Sequence, residues 1–151
     1  MASACILMVC PITGMVLGVS RKDDPNAWGL PGGKVEEKEC RCVDYFGVSK
    51  DVCPDCRGSG RVAAETEDEA ARREFREETG VTLYQQFGAT CALVEVFRRE
   101  GGVTFMATQG MIFRIEATKE TGRVAWVTWQ QLFDGPFGDY NRKLAAHIGV
   151  K

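Results

Sequence analysis

Short apolar runs alternate with turn-forming residues along the first part of the chain. Residues 5–10 and 15–19 are apolar, and their length and composition predict a pair of β-strands. Asp, Pro and Asn crowd together at 23–26, which predicts a turn. Residues 28–33 contain too much Gly and Pro for regular structure. The chain is therefore expected to begin with a strand pair that leads into a tight loop.

One later segment carries helix signals at both ends. Thr66 can cap the start, and Glu69 stands three residues on, at the capping-box spacing. Helix-forming residues continue to Thr79, and Gly80 occupies the place where a left-handed residue ends a helix. The pattern predicts a helix between Thr66 and Gly80.

The C-terminal part has further strand and helix signals. Residues 89–98 and 103–115 predict two strands joined by a glycine-containing hairpin turn, and 124–127 predicts another strand. Thr128 can cap a short helix, and 139–148 predicts a terminal helix. Strands, a helix, further strands and a final helix describe a mixed α/β chain.

Composition is consistent with one domain, which we assign to residues 1–151. The 44% hydrophobic and 26% charged fractions are ordinary for a globular protein of this length. The net charge of -2 indicates no broad basic face for duplex nucleic acid. No apolar run approaches the ~20 residues that span a bilayer, and the N-terminus lacks the basic region of a signal peptide. We expect a cytoplasmic protein without a membrane partner.

Three glutamates crowd one side of the predicted helix. Glu74, Glu77 and Glu78 stand at i, i+3 and i+4, so their carboxylates project from one face. Such crowding is unfavourable without a cation, and carboxylate oxygens suit hard divalent ions such as Mg²⁺. The competing interpretation is a solvated acidic face balanced by the arginines at 72, 73 and 76. The helix alone leaves both interpretations open.

The surrounding sequence favours the metal site because it resembles a known motif. Residues 73–81 fill every specified position in the second half of the Nudix box, Gly-x5-Glu-x7-Arg-Glu-U-x-Glu-Glu-x-Gly-U, where U is a bulky apolar residue. Residues 28–36 are similar to the loop that opens the box, and residues 124–132 to the family's late strand and short helix. The chain thus resembles the Nudix hydrolases, which implies an α/β/α sandwich with a mixed sheet.

The resemblance also implies roles for individual residues. The implied ligands of Mg²⁺ or Mn²⁺ are three carboxylates and one backbone carbonyl, those of Glu74, Glu77, Glu78 and Gly33. Glu74 and Glu120 are the candidate general bases. Arg73 is expected to orient a carboxylate through a bidentate pair. Catalysis is therefore expected to depend on carboxylates, one arginine and a divalent ion.

One position of the box is displaced. Its first glutamate should stand six residues after Gly33 and eight before Arg73, and no single residue does both. Glu39 has the first spacing and Glu65 has the second, as though extra sequence had been placed inside the loop. Both are candidates for the metal site. Glu65 is favoured because its spacing to the helix is intact.

A polar, cysteine-rich stretch accounts for the extra sequence. Two close pairs, Cys40 with Cys42 and Cys53 with Cys56, supply the four ligands of a tetrahedral structural zinc site. The second pair resembles a zinc knuckle, and metal binding could provide the folding energy of so short a segment. We predict an inserted zinc module at about residues 38–61, at the rim of the active site. Disulfides, redox chemistry and free thiols are the alternatives.

The function that the resemblance implies is a metal-dependent pyrophosphohydrolase. It would cleave a nucleoside triphosphate, or a nucleoside diphosphate linked to another group, and release a nucleoside monophosphate. Oxidised nucleotides, ADP-ribose, dinucleotides, nucleotide sugars and capped RNA are all candidate substrates, and a homodimer would be in keeping with many relatives. The alternative is an inactive nucleotide-binding or sensing module whose zinc insertion binds a partner. The insertion itself is either functional or a tolerated decoration of the loop.

Overall fold

The computed structural model describes residues 2–43, 53–83, 92–99, 101–107 and 121–150. The strands within these residues are β1 (Ser3–Leu7), β2 (Val16–Arg21), β3 (Asp24–Gly29), β4 (Gly32–Lys34), β5 (Glu37–Glu39), β6 (Arg61–Ala63), β7 (Leu93–Arg99), β8 (Gly102–Ala107) and β9 (Val124–Val127). The helices are α1 (Glu67–Thr79), α2 (Trp129–Phe133) and α3 (Gly138–Ile148), with a 3-10 turn at Arg41–Val43. In this described part, no helix has both the length and the apolar character needed to cross a membrane.

Two sheets form the body of the fold. The first has the order β4-β1-β8-β7, in which β1 runs parallel to β8 and the other pairs are antiparallel. Ala4 of β1 stands opposite Val103 in the parallel pair and opposite Gly33 in an antiparallel pair. The second sheet is antiparallel, with the order β3-β2-β9. The mixed sheet that the sequence predicted is therefore confirmed.

Strand β1 contributes to two cores because successive side chains point to opposite faces. Ala4 and Ile6 are buried against Phe75 of α1. Leu7 belongs to a second core that includes Leu132 of α2. Helices therefore cover both faces of the sheet, as expected for an α/β/α sandwich.

Helix α1 forms where the end signals predicted it. The Thr66 hydroxyl accepts the Glu69 N–H, and the Glu69 carboxylate accepts the Thr66 N–H, both at 3.1 Å. Gly80 ends the helix with a φ of 76°, in the left-handed region. Phe75 is fully buried and fixes the helix on the first sheet. The capping box and the glycine end thus confirm the predicted helix.

The predicted turn at 23–26 is wrong. The turn lies at 22–23, and Asp24 already begins β3. Pro25 is tolerated because β3 is an edge strand of the described sheet, where a missing N–H need not cost a ladder hydrogen bond. The predicted strand at 103–115 extends past the end of β8 into residues outside the described part.

Candidate active site and cysteine cluster

Arg73, in the second turn of α1, is anchored by Glu65. Its Nε and Nη2 donate to the two carboxylate oxygens of Glu65 at 3.0 and 2.7 Å. Nη2 also donates to the backbone carbonyl of Lys34 at 3.1 Å. A bidentate pair fixes the plane of a guanidinium as well as its position. Arg73 therefore ties α1 to β4 and to the chain just before the helix.

The remaining Arg73 nitrogen, Nη1, faces the acidic side of the helix. It donates to Glu74 Oε1 at 3.0 Å and to Glu77 Oε2 at 3.1 Å, and Glu36 Oε1 is 3.8 Å away. Together with Glu65, four carboxylates lie within 3.8 Å of one guanidinium. Four negative charges against one positive charge leave a formal excess of three among these described groups. Such an excess favours binding of a further cation.

The backbone at Gly32 and Gly33 packs directly on the carboxylate face. The Gly32 N–H donates to Glu78 Oε1 at 2.6 Å. A Cβ atom added at Gly33 would lie 2.5 Å from the carboxylate carbon of Glu74. That distance is shorter than real Cβ contacts, so any larger residue at this position would displace the Glu74 carboxylate.

The pKa values of Glu74 and Glu65 are shifted in opposite directions. Burial raises the pKa of Glu74 above its ordinary value, although the hydrogen bond from Arg73 acts against this shift. The hydrogen bond from Arg73 lowers the pKa of Glu65, against the effect of burial. A partly desolvated carboxylate beside other anions suits a hard divalent ion. The donor set therefore fits Mg²⁺ or Mn²⁺.

A cavity of about 340 Å³ opens beside Glu78. Arg21 and Lys22 line it from the β2–β3 hairpin, and Leu30 from the loop between β3 and β4. Phe137, just before α3, also lines the cavity and is 63% exposed. Asp23 lines the cavity as well and pairs with Arg21 at 3.2 Å, so Lys22 and the open aromatic ring are the features that suit an anionic ligand with an aromatic group.

The four cysteines of the insertion converge in one buried cluster. The Sγ atoms of Cys40 and Cys53 are 3.6 Å apart, and those of Cys42 and Cys56 are 3.5 Å apart. All four sulfurs lie within 4.8 Å of one another. Zn–S bonds of ~2.3 Å place tetrahedral sulfurs ~3.8 Å apart, whereas a disulfide needs ~2.05 Å. The cluster fits the predicted zinc-knuckle-like insertion and not a pair of disulfides.

The backbone after the second cysteine pair curls around the sulfurs. Arg57, Gly58 and Gly60 all have positive φ angles, of 50°, 89° and 76°. Burial acts to raise the pKa of Cys56, but hydrogen bonds from the Gly60 and Gly58 backbone and from the Cys42 thiol lower it to about 7. The lowered pKa favours the thiolate at Cys56, which is the form of cysteine that binds metal.

A short antiparallel stem joins the cysteine cluster to the arginine site. Its register is Glu37 with Ala63, Lys38 with Val62 and Glu39 with Arg61. At the cluster end, the Cys40 N–H donates to the Gly60 carbonyl at 2.8 Å. At the other end, the Ala64 N–H donates to the Glu36 carbonyl at 2.7 Å, and the Glu36 N–H donates to Glu65 Oε1 at 2.9 Å. The stem therefore brings the two ends of the insertion together beside α1.

A sequence model described as the NUDIX domain matches residues 1–148. The chain belongs to the Nudix hydrolase family. Among curated proteins, none matches the sequence of this Nudix chain significantly.

Solved Nudix structures have the same fold at low sequence identity. The dihydroneopterin triphosphate pyrophosphohydrolase of E. coli has a TM-score of 0.59 at 17% identity, covering 96% of this chain and 92% of that one. The MutT protein of Methanosarcina mazei Go1 has 0.56 at 19%, covering 98% and 94%. The Ap4A hydrolase of C. elegans has 0.56 at 18%, covering 99% of both chains. At these identities the likeness shows the fold.

The Nudix box of this chain is assembled across the insertion. Glu65 is in contact with Arg73. Glu39 lies in β5 opposite Arg61, and among the described residues it makes no hydrogen bond or ion pair with Arg73. Glu120 lies outside the described residues. Of the two candidates for the displaced glutamate, only Glu65 is therefore joined to the arginine.

Some residues at the Nudix site were not singled out by the sequence. Glu36 ends the run that opens the box, so its nearness to Arg73 could have been predicted from that run. Lys22 and Phe137 line the cavity but belong to no motif. They come from separate loops, and only the folded chain brings them together.

Proposed function

We propose that this Nudix hydrolase is a metal-dependent pyrophosphohydrolase. Its substrate is a nucleoside triphosphate, or a nucleoside diphosphate linked to another group, and its product includes a nucleoside monophosphate. One observation carries the proposal. The carboxylate face that ends in Glu78 packs on the Gly32–Gly33 backbone at the edge of a cavity with basic and aromatic walls. A divalent-ion site beside such a cavity suits a ligand in which a phosphate chain is attached to a nucleoside.

The proposed Mg²⁺ or Mn²⁺ ligands are on α1 and β4. Glu74, Glu77 and Glu78 would supply carboxylate oxygens, and the Gly33 carbonyl a further ligand. When bound, a divalent ion neutralises phosphate charge and lowers the pKa of a coordinated water. The negative excess around Arg73 supports this assignment, because these carboxylates stay close together only if cations offset their repulsion.

Arg73 is proposed to be a positioning residue. The bidentate pair with Glu65 holds its guanidinium plane, and Nη1 then aligns the carboxylates of Glu74 and Glu77. All three guanidinium nitrogens donate hydrogen bonds to glutamates, and Nη2 also donates to the backbone carbonyl of Lys34. The arginine therefore acts on the reaction through the ligands it orients.

Glu74 is the proposed general base among the described residues. Its pKa is raised by burial, and a carboxylate with a raised pKa accepts a proton from the attacking water more readily at neutral pH. Glu120 is the other candidate from the sequence, in the part of the chain before Trp126. The two candidates are distinguished by the pH dependence of kcat in Glu74→Gln and Glu120→Gln.

The cavity beside Glu78 is the proposed nucleoside pocket. Phe137 would stack on the base, while Lys22 offsets part of the phosphate charge. The names of two structural relatives, a dihydroneopterin triphosphate pyrophosphohydrolase and an Ap4A hydrolase, support a phosphoanhydride substrate. The candidate substrates of this chain are nucleoside triphosphates, ADP-ribose, dinucleotides, nucleotide sugars and capped RNA.

A hydrolysis screen of these compounds with Mg²⁺, read by mass spectrometry, tests the proposal. Wild type and the surface control Asp139→Asn are expected to release a nucleoside monophosphate, and Glu78→Gln is expected to lose this activity. Asp139 is a matched control because its exposed carboxylate pairs with Lys143 on the surface of α3. Nucleotide binding without turnover by the folded, metal-replete protein would make the chain a binding module instead.

We also propose that Cys40, Cys42, Cys53 and Cys56 hold a structural zinc ion. The sulfur separations and the burial of all four residues support it. Elemental analysis of the purified protein is expected to find one zinc per chain in wild type and in Cys10→Ser, and less in Cys53→Ser. A cytoplasmic location and a homodimer stay predictions from the sequence.

A further inference from the structure

The cysteine cluster and the arginine site stand at opposite ends of one two-stranded stem. At the first end, the Cys40 N–H is bonded to the Gly60 carbonyl. At the second end, the Glu36 N–H donates to the same Glu65 carboxylate that holds Arg73. Three residue pairs of β5 and β6 lie between these two ends. A change at the sulfurs therefore has a short, hydrogen-bonded route to the arginine.

Beyond its backbone pairing and the exposed contacts of Arg61 with Glu37, the stem has few interactions of its own. All three residues of β5 are exposed, and so are two of the three in β6. Val62, the remaining one, packs on the cysteines and not on the main cores. An isolated two-stranded hairpin is only marginally stable in water. In the described part of the insertion, the buried cysteine cluster is thus the element that keeps the stem closed.

We infer that the four-cysteine site controls hydrolysis: a metal ion held there closes the stem, and the closed stem fixes the Glu65–Arg73 pair. The inference rests on the proposed function and adds a distant control site to it. When the cysteines lose their metal, the stem opens. Glu65 then loses the N–H of Glu36, which is its second anchor.

The charges around Arg73 determine whether loss of metal from the cysteines weakens or strengthens Mg²⁺ binding. Its guanidinium already donates to Glu74 and Glu77 as well as to Glu65. An arginine released from Glu65 pairs more fully with the other two carboxylates, which are proposed Mg²⁺ ligands. The guanidinium and the divalent ion then compete for the same oxygens. Loss of metal from the cysteines therefore weakens Mg²⁺ binding and lowers turnover together.

The test removes the metal from the cysteines while Mg²⁺ is kept in large excess. A zinc-selective chelator is added to the full-length protein, and zinc is then returned at one equivalent per chain. We expect kcat to fall by about 10- to 100-fold, and the Mg²⁺ concentration for half-maximal activity to rise. Amide hydrogen exchange at Ala64 is expected to become faster in the same sample. Zinc should reverse all three changes.

Three variants separate control from general unfolding. Cys53→Ser is expected to behave like the chelated protein, and Cys10→Ser like wild type. In a short-stem variant, residues 40–60 are replaced by Asn-Gly, which joins the opposed residues Glu39 and Arg61 as a two-residue hairpin. This variant is expected to keep its activity, and its kcat should not change when the chelator is added, because its stem closes without metal.

Each result supports or overturns the inference. Unchanged kcat and unchanged Ala64 exchange after complete zinc loss would overturn it and leave the proposed function intact. A folded short-stem variant without turnover would also overturn it, because the module would then act by direct contact. If zinc-replete wild type hydrolyses nothing, the proposed function fails. Mg²⁺ binding and Ala64 exchange would still show whether the two sites are coupled.

Discussion

Arg73 and Glu65 are joined by two hydrogen bonds, at 3.0 and 2.7 Å, across eight residues of sequence. The pair closes the Nudix box immediately after the insertion, where the spacing to the opening glycine has been lost. Lys34, on the far side of the insertion, accepts a third bond from the same guanidinium. Arg73 therefore connects the two halves of the motif in space, although 26 residues separate Glu39 from Glu65 in sequence.

Glu65→Gln is expected to lower kcat by about 10- to 100-fold, the usual effect of removing a residue that supports metal ligands. The amide keeps an acceptor oxygen but removes the charge that pairs with Arg73. Glu39→Gln, an identical change at an exposed stem residue, is expected to leave kcat near wild type. Steady-state kinetics of both variants at saturating Mg²⁺ provide the measurement. A larger loss in Glu39→Gln would assign the displaced box position to Glu39 instead.

Gly33→Ala is expected to lower Mg²⁺ affinity and kcat, because the new Cβ would push the Glu74 carboxylate away. Gly14→Ala is the control. Unlike Gly33, Gly14 has a left-handed φ, of 73°, and its Cβ would meet nothing within 4 Å. The control is expected to lose about 1 kcal/mol of unfolding free energy and to keep its activity. Equal kinetic losses in the two variants would show that the contact with Glu74 is not the cause of the loss.

Mg²⁺ binding is expected to weaken as the pH falls through a pKa above the ordinary value of glutamate. The reason is Glu74, whose pKa is raised by burial, so that its carboxylate is protonated at a higher pH than a solvated one. Calorimetric titration with Mg²⁺ between pH 8 and pH 4.5 measures this dependence. In Glu74→Gln the corresponding step should be absent. A step that persists in this variant would belong to another group.

Glu65 is expected to stabilise the fold at neutral pH and to lose that effect in acid. Its pKa in the folded chain is lowered by Arg73, so its contribution is present above the unfolded-state pKa and disappears as the pH falls through the lowered value. The difference in unfolding free energy between wild type and Glu65→Gln should therefore be positive at pH 7 and should shrink towards zero at low pH. Urea denaturation at several pH values gives this difference. A difference independent of pH would speak against the ion pair as its source.

Phe137→Ala is expected to raise KM by about tenfold, since stacking on a base contributes ~1–3 kcal/mol. Its ring is 63% exposed, so the unfolding free energy should change little. Ile12→Ala removes a comparably open apolar side chain, 77% exposed and absent from the cavity wall, and should not affect KM. If both variants have wild-type KM, the nucleoside is bound elsewhere.

The sequence predicted the features that local interactions decide. Helix α1 follows from a capping box and a terminal glycine, and its acidic face from spacing alone. The choice between Glu39 and Glu65 required the register of β5 with β6, which depends on contacts across the insertion. The β3 strand was missed because Pro25 is compatible with an edge strand as well as with a turn. The cavity was missed because Lys22 and Phe137 meet only through the packing of separate loops.

The pairing of Glu36 with Ala64 gives this scaffold a place for grafting new sequence. The two ends of the stem meet beside Glu65 and Arg73, and these contacts do not depend on how many residues lie beyond the stem. Doubling the length of a flexible loop costs only ~0.6 kcal/mol in closure entropy, so a closed stem could carry a longer domain or a minimal turn. Patterns that require a fixed number of residues between the glycine and the arginine overlook such chains. A search that allows an interruption after the Gly-Gly-Lys-Val-Glu run should detect relatives in which other modules occupy the same position.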